Sequence, residues 1–415
     1  MTSSQIPFSL DQIGNPQAKT MDRILRLMAE RGASDVYLSA KTPILVRISG
    51  QMMQLSEEAL RPDQTFLLIS ELLRPDQIAE LEEQGELNVG IGLSGVGSFR
   101  LSAFRQRGTI AAVLRCVTAE IPSLEAMGLP PVLGQLILEK RGLILICGAT
   151  GQGKSTTMAA MLEERNRKVT GHILTIEDPI EYLFTNNRSI VNQREVGRDT
   201  KSLHTALRNA LRQAPDCIMI GEIRDRETMA NAIAYSLSGH LVIATLHANN
   251  SYQALSRVVS FFPAEVREPM LHDLSTALRA VVTQRLLRST IGGRVPAVEI
   301  LINSQRLSEL IHAGDIDGVR DAMQTTLSDG SQTFDDELVK LILGKIITRE
   351  EALAHADSSA NLIWRLDNDQ SSKKAAQANA RAEPAVRPGQ HVTDYQELFI
   401  DVPARRDEQP LFTFQ

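Results

Sequence analysis

The chain has 415 residues, 43% hydrophobic and 4% aromatic, with 44 Lys and Arg against 50 Asp and Glu and a formal net charge of −6. That length implies two or three domains, and the acidic balance speaks against a broad basic surface for nucleic acid. The three cysteines, Cys116, Cys147 and Cys217, form no C-x-x-C pair, which excludes a four-cysteine metal site and leaves packed thiols.

Residues 1–20 are polar, contain Pro7 and Pro16, and are expected to be flexible. They lack a basic segment followed by an apolar core, so no signal peptide is expected. MDRILRLMAE, from Met21, carries apolar residues at helical spacing. DVYLSAKTPILVRISGQMMQL alternates as strands do, with breaks at Lys41-Thr42-Pro43 and Ser49-Gly50. RPDQTFLLISELLRPDQIAELEEQGE predicts two short helices, and GSFRLSAFRQRGTIAAVLRCV a hairpin. Together they predict a small α+β domain over 21–118. AEIPSLEAMGLPP, residues 119–131, has three prolines and no period, and predicts a linker. Between 132 and 364, the strand-like runs GLILICG, HILTIED, CIMIGEI, HLVIATLH and VPAVEILI alternate with helical stretches. Runs that are apolar on both faces predict an α/β domain with a mostly parallel, doubly wound sheet. Residues 365–415 are mostly polar and Ala-rich, and predict a disordered tail. No apolar run nears the ~18 residues that would span a bilayer, so direct membrane insertion is not expected.

Four motifs carry chemistry. Gly148, Ala149, Thr150, Gly151, Gln152, Gly153, Lys154, Ser155 and Thr156 spell G-x-x-x-x-G-K-[ST] between a strand and a helix. Such a loop turns backbone N–H groups inward around phosphate, with Lys154 on the β- and γ-phosphates and Ser155 on Mg²⁺. Alone it does not separate a GTPase, a kinase and a motor. The missing N-K-x-D weakens the first, and the second stays open. ILTIEDPIEY ends a strand in Glu177, Asp178 and Glu181, which a solvated acidic turn would also explain. PDCIMIGEIRD has a Walker B layout in which Gly221 replaces the usual Asp, so Glu222 is the terminal carboxylate, expected at Mg²⁺ directly or through water. Glu181 then becomes the candidate to orient the attacking water. SGHLVIATLHANN puts His240 before a strand and His247 at its end. Packed or surface histidines are the plain alternative, but an imidazole at the strand's carboxyl end would face the γ-phosphate.

In this order and spacing the four motifs resemble the Walker A, Asp, Walker B and His boxes of the secretion-ATPase superfamily. They are most similar to the type IV pilus retraction ATPases of the PilT and PilU kind. RGASDVYLSAKTPILVRISGQM resembles the N-terminal segment of that family, VNQREVGRDTKSLHTALRNALRQAPD its stretch between Asp and Walker B boxes, and VVTQRLL a helix after the His box. The likeness covers residues 20–365. It implies a RecA-like P-loop domain behind a PAS-like N-terminal domain, a homo-hexamer, and ATP with Mg²⁺ as ligands. It puts Glu181 on the catalytic glutamate, Glu222 on Walker B, and His240 and His247 on the His box. It also implies that the N-terminal domain closes over the nucleotide, which favours Arg100 and Arg115 as phosphate sensors over Arg194, Arg198, Arg208 and Arg212. The A-I-R-N-L-I-R-E segment of PilT-type chains is not matched. QRLSELIHAGDIDGV and DGSQTFDDEL are closer to the PilU branch of accessory retraction ATPases. The implied partners are a PilT-type ATPase and the inner-membrane pilus platform protein, met from the cytoplasm at the pilus base. Two alternatives stay open: a nucleotide-binding accessory that acts mainly by docking, and a nucleic-acid-stimulated ATPase, which the acidic charge disfavours.

Overall fold

The computed structural model describes residues 19–48, 51–93, 96–117, 121–325 and 329–367. Of the expected flexible N-terminus and disordered tail, residues 1–18 and 368–415 lie outside that set, while Thr20 already opens a helix and 365–367 are helical.

The helical spacing after Lys19 folds as α1 (Thr20–Arg31), whose buried stripe is Met21, Ile24, Leu25 and Met28. Then come β1 (Ala33–Leu38), β2 (Leu45–Ile48) and β3 (Gln51–Gln54). The repeated Arg-Pro-Asp-Gln starts α2 (Pro62–Ser70) and α3 (Pro75–Gln84). In each, proline takes the first turn, where its missing N–H costs nothing. The Gln side chain accepts the N–H of Arg61 at 2.8 Å and of Arg74 at 3.0 Å. β4 (Glu86–Leu93), β5 (Gly97–Gln106) and β6 (Thr109–Val117) complete an antiparallel sheet in the order β3-β2-β1-β6-β5-β4. β4 was not read from sequence. Its glycines, Gly90 and Gly92, blur the alternation that marks a strand.

α4 (Val132–Leu136) precedes β7 (Gly142–Cys147), which leads into α5 (Lys154–Lys168). Next are β8 (Gly171–Glu177), β9 (Ser189–Glu195), α6 (Leu203–Ala210), β10 (Cys217–Ile220), α7 (Arg226–Leu237) and β11 (Leu241–Leu246). α8 (Ser251–Ser260), α9 (Arg267–Ala277), β12 (Leu278–Arg288) and β13 (Arg294–Ile302) follow. The second sheet runs β13-β12-β7-β11-β10-β8-β9, parallel except where β13 pairs with β12. β7 is buried along its whole length. Leu143 and Leu145 enter one core with Ile218, Ile220 and Val242, while Ile144 and Ile146 enter the other with Leu133, Met158 and Met161. This two-sided burial is why the strand reads as one apolar run. VVTQRLL is not a helix but the middle of β12. Its β-branched Val281, Val282 and Thr283 suit a strand paired on both sides, and the helix implied by the family resemblance is not formed.

Of the expected linker, 119–120 lie outside the described residues. From Ile121 onward it packs against the second sheet, with Leu124 8% and Leu129 5% exposed in the core that holds Ile144 and Ile146. The C-terminal stretches fold as α10 (Gln305–Ala313), α11 (Ile316–Thr325), α12 (Phe334–Leu343) and α13 (Arg349–His355). No helix among the described residues is long and apolar enough to cross a membrane.

Candidate active site

Every component of the site lies at, or folds over, the carboxyl end of the second sheet. After Cys147 the chain wraps through Gly148 and Gly153, at φ 148° and 80°. A Cβ on Gly148 would lie 2.7 Å from the Gln284 carbonyl oxygen, and one on Gly153 2.8 Å from Gln284 Nε2, so only glycine lets the loop press onto β12. Gln284 is 1% exposed and braces the loop. Its Nε2 donates to Gln152 O at 2.8 Å and its Oε1 accepts from Thr157 Oγ1 at 2.6 Å. Gln152 Oε1 accepts the Leu286 N–H at 2.6 Å. Sequence reading missed this residue because β12 was taken for a helix; a buried amide amid branched apolar residues was the available signal.

Lys154 opens α5 and is 8% exposed. Its Nζ donates to Gly148 O at 2.8 Å and Ala149 O at 3.0 Å, both carbonyls of the loop itself. Burial lowers its pKa, chiefly opposed by the charge of Glu222. An ammonium held at loop carbonyls beside a helix N-terminus has the charge and geometry to bind an anion. The residues fit the expected Mg²⁺ and ATP: the cradle offers N–H groups and Lys154 to phosphate, while the Ser155 hydroxyl and Glu222 carboxylate are the hard oxygen donors this cation takes. Bound there, the metal would neutralise phosphate charge.

The parallel register places Ile176, Ile220 and Ala244 side by side, so β8, β10 and β11 deliver their next residues to one edge. Glu222 Oε2 accepts from Arg224 Nη2 at 2.6 Å, and its Oε1 lies 3.1 Å from His247 Nε2. Burial alone would raise the Glu222 pKa, but the Arg224 hydrogen bond and the charges of Arg224, His247 and Lys154 hold it below the usual carboxylate value. Arg224 was not singled out from sequence, although it stands two residues after Glu222. Glu177 is buried and its pKa is raised by desolvation, against hydrogen bonds from Thr175 and Gln193. Glu181 is exposed on the loop after β8. The P-loop, Glu181, Glu222 and His247 all line one cleft of about 840 Å³.

His240 is not brought there. β11 pairs with β7 so that Leu241 faces Gly142, and the His240 carbonyl accepts the Gly142 N–H at 3.0 Å. The residue therefore sits at the amino end of the sheet, one strand length (~20 Å) from the loop. Its ring is near Ser238 Oγ at 3.1 Å and Tyr235 O at 3.2 Å.

Arg100 and Arg115 are directly opposite on β5 and β6. Arg115 lines the 840 Å³ cleft and donates to Asp35 Oδ1 at 2.8 Å, which raises its pKa. Arg100 instead faces a neighbouring pocket of about 370 Å³ with Asp178, Glu195 and Arg198. Burial lowers its pKa, opposed by Glu181 and Glu195. Arg194 donates to Asp199 O at 3.2 Å and Arg212 to Asn209 Oδ1 at 3.4 Å, while Arg208 is exposed on α6.

Residues 12–299 match the family model described as type II/IV secretion system protein. The chain is 45% identical to the type IV pilus ATPase PilU of Pseudomonas aeruginosa over 342 residues, 82% of this chain and 90% of that protein. Against the type IV pilus retraction ATPase PilT of the same organism it is 39% identical over 338 residues, 81% of this chain and 98% of that one. The crystal structure of the pilus retraction motor PilT with bound ADP matches with a TM-score of 0.77 at 42% identity, covering 82% of this chain and 98% of that chain.

Proposed function

The chain belongs to the type II/IV secretion system protein family, and from that premise we propose that it is a motor subunit of type IV pilus retraction, working as a PilU-type accessory to a PilT-type motor. It is an ATPase of this family, with a PilT-like fold. The observation that carries the finer reading is the convergence of Lys154, Glu181, Glu222 and His247 on one cleft with Arg115 of the N-terminal sheet.

Lys154 and the loop amides hold the phosphates, and Ser155 and Glu222 hold Mg²⁺. Glu181 orients the attacking water and takes its proton, as a carboxylate lining the phosphate cleft can. His247, within reach of Glu222, reports loss of the γ-phosphate to the Walker B carboxylate. Arg115 leaves Asp35 to meet phosphate, which draws the 21–118 body onto the 132–364 body. Arg100, in the adjoining pocket, is the second cation available once they close. Repeated around a homo-hexamer, this closure would be passed to the platform protein of the inner membrane from its cytoplasmic side.

A second reading has the chain bind nucleotide and act mainly by docking onto its partner motor. Turnover and solution mass of the purified chain, alone and with a PilT-type partner, separate the two. The motor reading expects a six-chain particle that hydrolyses ATP by itself. Nucleotide binding without turnover, regained by neither assembly nor partner, would leave only docking. A monomer under all nucleotide conditions would contradict the ring.

A further inference from the structure

The segment 178–184 carries Glu181 yet contains no helix or strand, and an exposed loop does not by itself hold a carboxylate to the tolerance that catalysis needs. What fixes it comes from β9 and from the P-loop helix. The Ile180 N–H donates to Glu195 Oε2 at 3.1 Å. Gln193 spends its whole amide on the loop and its root: Oε1 accepts the Phe184 N–H at 2.9 Å, and Nε2 donates to Tyr182 O at 2.8 Å and Glu177 Oε1 at 3.1 Å. Glu181 is therefore flanked on both sides by backbone groups anchored to one strand. A further bond crosses to the phosphate cradle. The Tyr182 and Thr156 hydroxyls are 2.9 Å apart, and Thr156 follows Ser155 on the first turn of α5.

We propose that Gln193 and Tyr182 are positioning residues that set Glu181 against the P-loop, Gln193 by clamping the loop to β9 and Tyr182 by tying it to Thr156. The proposal rests on the reading of Glu181 as the group that orients water. It assigns a purpose to Gln193 in the Val-Asn-Gln-Arg-Glu stretch and to a tyrosine inside the Asp-box motif. It also makes Thr156 a mechanical link, since a phosphate that settles the first turn of α5 would settle Glu181 through the same hydroxyl pair. Glutamate at 193 would keep the size of the side chain but replace both Nε2–H donors by an acceptor facing the Tyr182 carbonyl and the buried Glu177.

The test uses the full chain with Tyr182→Phe, Gln193→Glu and, in parallel, Glu181→Gln, measuring steady-state ATP turnover and ADP affinity. Misplacing a reacting group by ~1 Å costs about 10²-fold in rate, so kcat is expected to fall by on the order of tenfold or more in each positioning variant. ADP affinity should stay within about twofold, because no residue of the cradle is replaced and Lys154 keeps its loop contacts. A general weakening of the fold would lower both together, and that result, or unchanged kcat in Tyr182→Phe and Gln193→Glu, overturns the proposal. If Gln193→Glu does not fold, Tyr182→Phe decides alone. Silence of Glu181→Gln beside normal turnover of the other two sinks the positioning claim only. Normal turnover of Glu181→Gln sinks the reading of Glu181 and the proposal with it.

Discussion

Gly221 stands where a Walker B strand usually ends in aspartate, and its surroundings explain the exchange. A Cβ there would lie 3.2 Å from Ile176 O and 3.4 Å from Glu177 Cα, too close to the β8 backbone for comfort. The carboxylate moves one residue on, where Arg224 and His247 can hold it. His247 and His240 look alike in sequence, as the two ends of one apolar run, and only the direction of β11 separates them. His240→Ala is accordingly expected to leave ADP affinity within about twofold of wild type in a titration. His247→Ala should slow turnover. Away from the site, Glu299 is 6% exposed, and its Oε1 accepts both Ser251 N–H and Ser251 Oγ–H at 2.7 Å. Burial raises its pKa in the fold, against those bonds. A raised carboxylate contributes its full stability below the unfolded value of ~4.3 and loses it as pH rises through the folded value. Glu299→Gln should therefore match wild type in denaturant melts near pH 4 and exceed it near pH 8. A variant less stable than wild type at pH 8 would show that the ionised form is better paired than Ser251 alone allows.

At the scale of elements, what could be read from the chain follows from how each segment is buried. Strands covered on both faces, such as β7, β8, β10 and β11, announce themselves as unbroken apolar runs, and the P-loop spells its own geometry through Gly148 and Gly153. β9 escaped reading because it is an edge strand with Ile190 57% exposed and with Asn192, Gln193 and Arg194 where a core strand would carry apolar residues. Of these, Gln193 holds the Asp-box loop, while Asn192 Oδ1 lies 2.9 Å from His172 Nε2 and Arg194 donates to Asp199 O at 3.2 Å. β12 escaped because two polar residues, Thr283 and Gln284, are fully buried in it, one of them to brace the P-loop. In both cases the pattern broke where the strand serves the site. Gln284→Leu would leave Gln152 O and Thr157 Oγ1 without their partner. We expect ADP affinity to fall by on the order of tenfold in a direct titration, since one buried hydrogen bond is worth ~1–1.5 kcal/mol. In the body of the sheet, Leu145 is fully buried between β11 and β12 and enters the larger core. Leu145→Ala should cost about 2–5 kcal/mol of stability in the same melts.

At the scale of the molecule, the N-terminal sheet contributes one wall of the cleft through Arg115. That arginine is already engaged: Asp35, whose side chain is 6% exposed, holds it at 2.8 Å and has Arg47 at 3.7 Å. Moving Arg115 to phosphate thus leaves Asp35 a remaining cation, so closure does not strand a buried carboxylate. The linker expectation changes in the same light. With Leu124 and Leu129 packed under the second sheet, residues from Ile121 onward travel with the ATPase body. Arg115→Ala should lower turnover by on the order of 10³-fold while ADP binding persists, the low end of what an arginine at the transferred phosphate contributes.

ATP hydrolysis in this cleft depends on Lys154. Steady-state ATP turnover of the purified full chain, with Mg²⁺, beside the Lys154→Ala variant, tests it most directly. Turnover is expected in the wild-type chain and its loss to background in the variant, which should remain folded because Ala preserves the helix at the first position of α5. Wild-type turnover that persists in Lys154→Ala would contradict it.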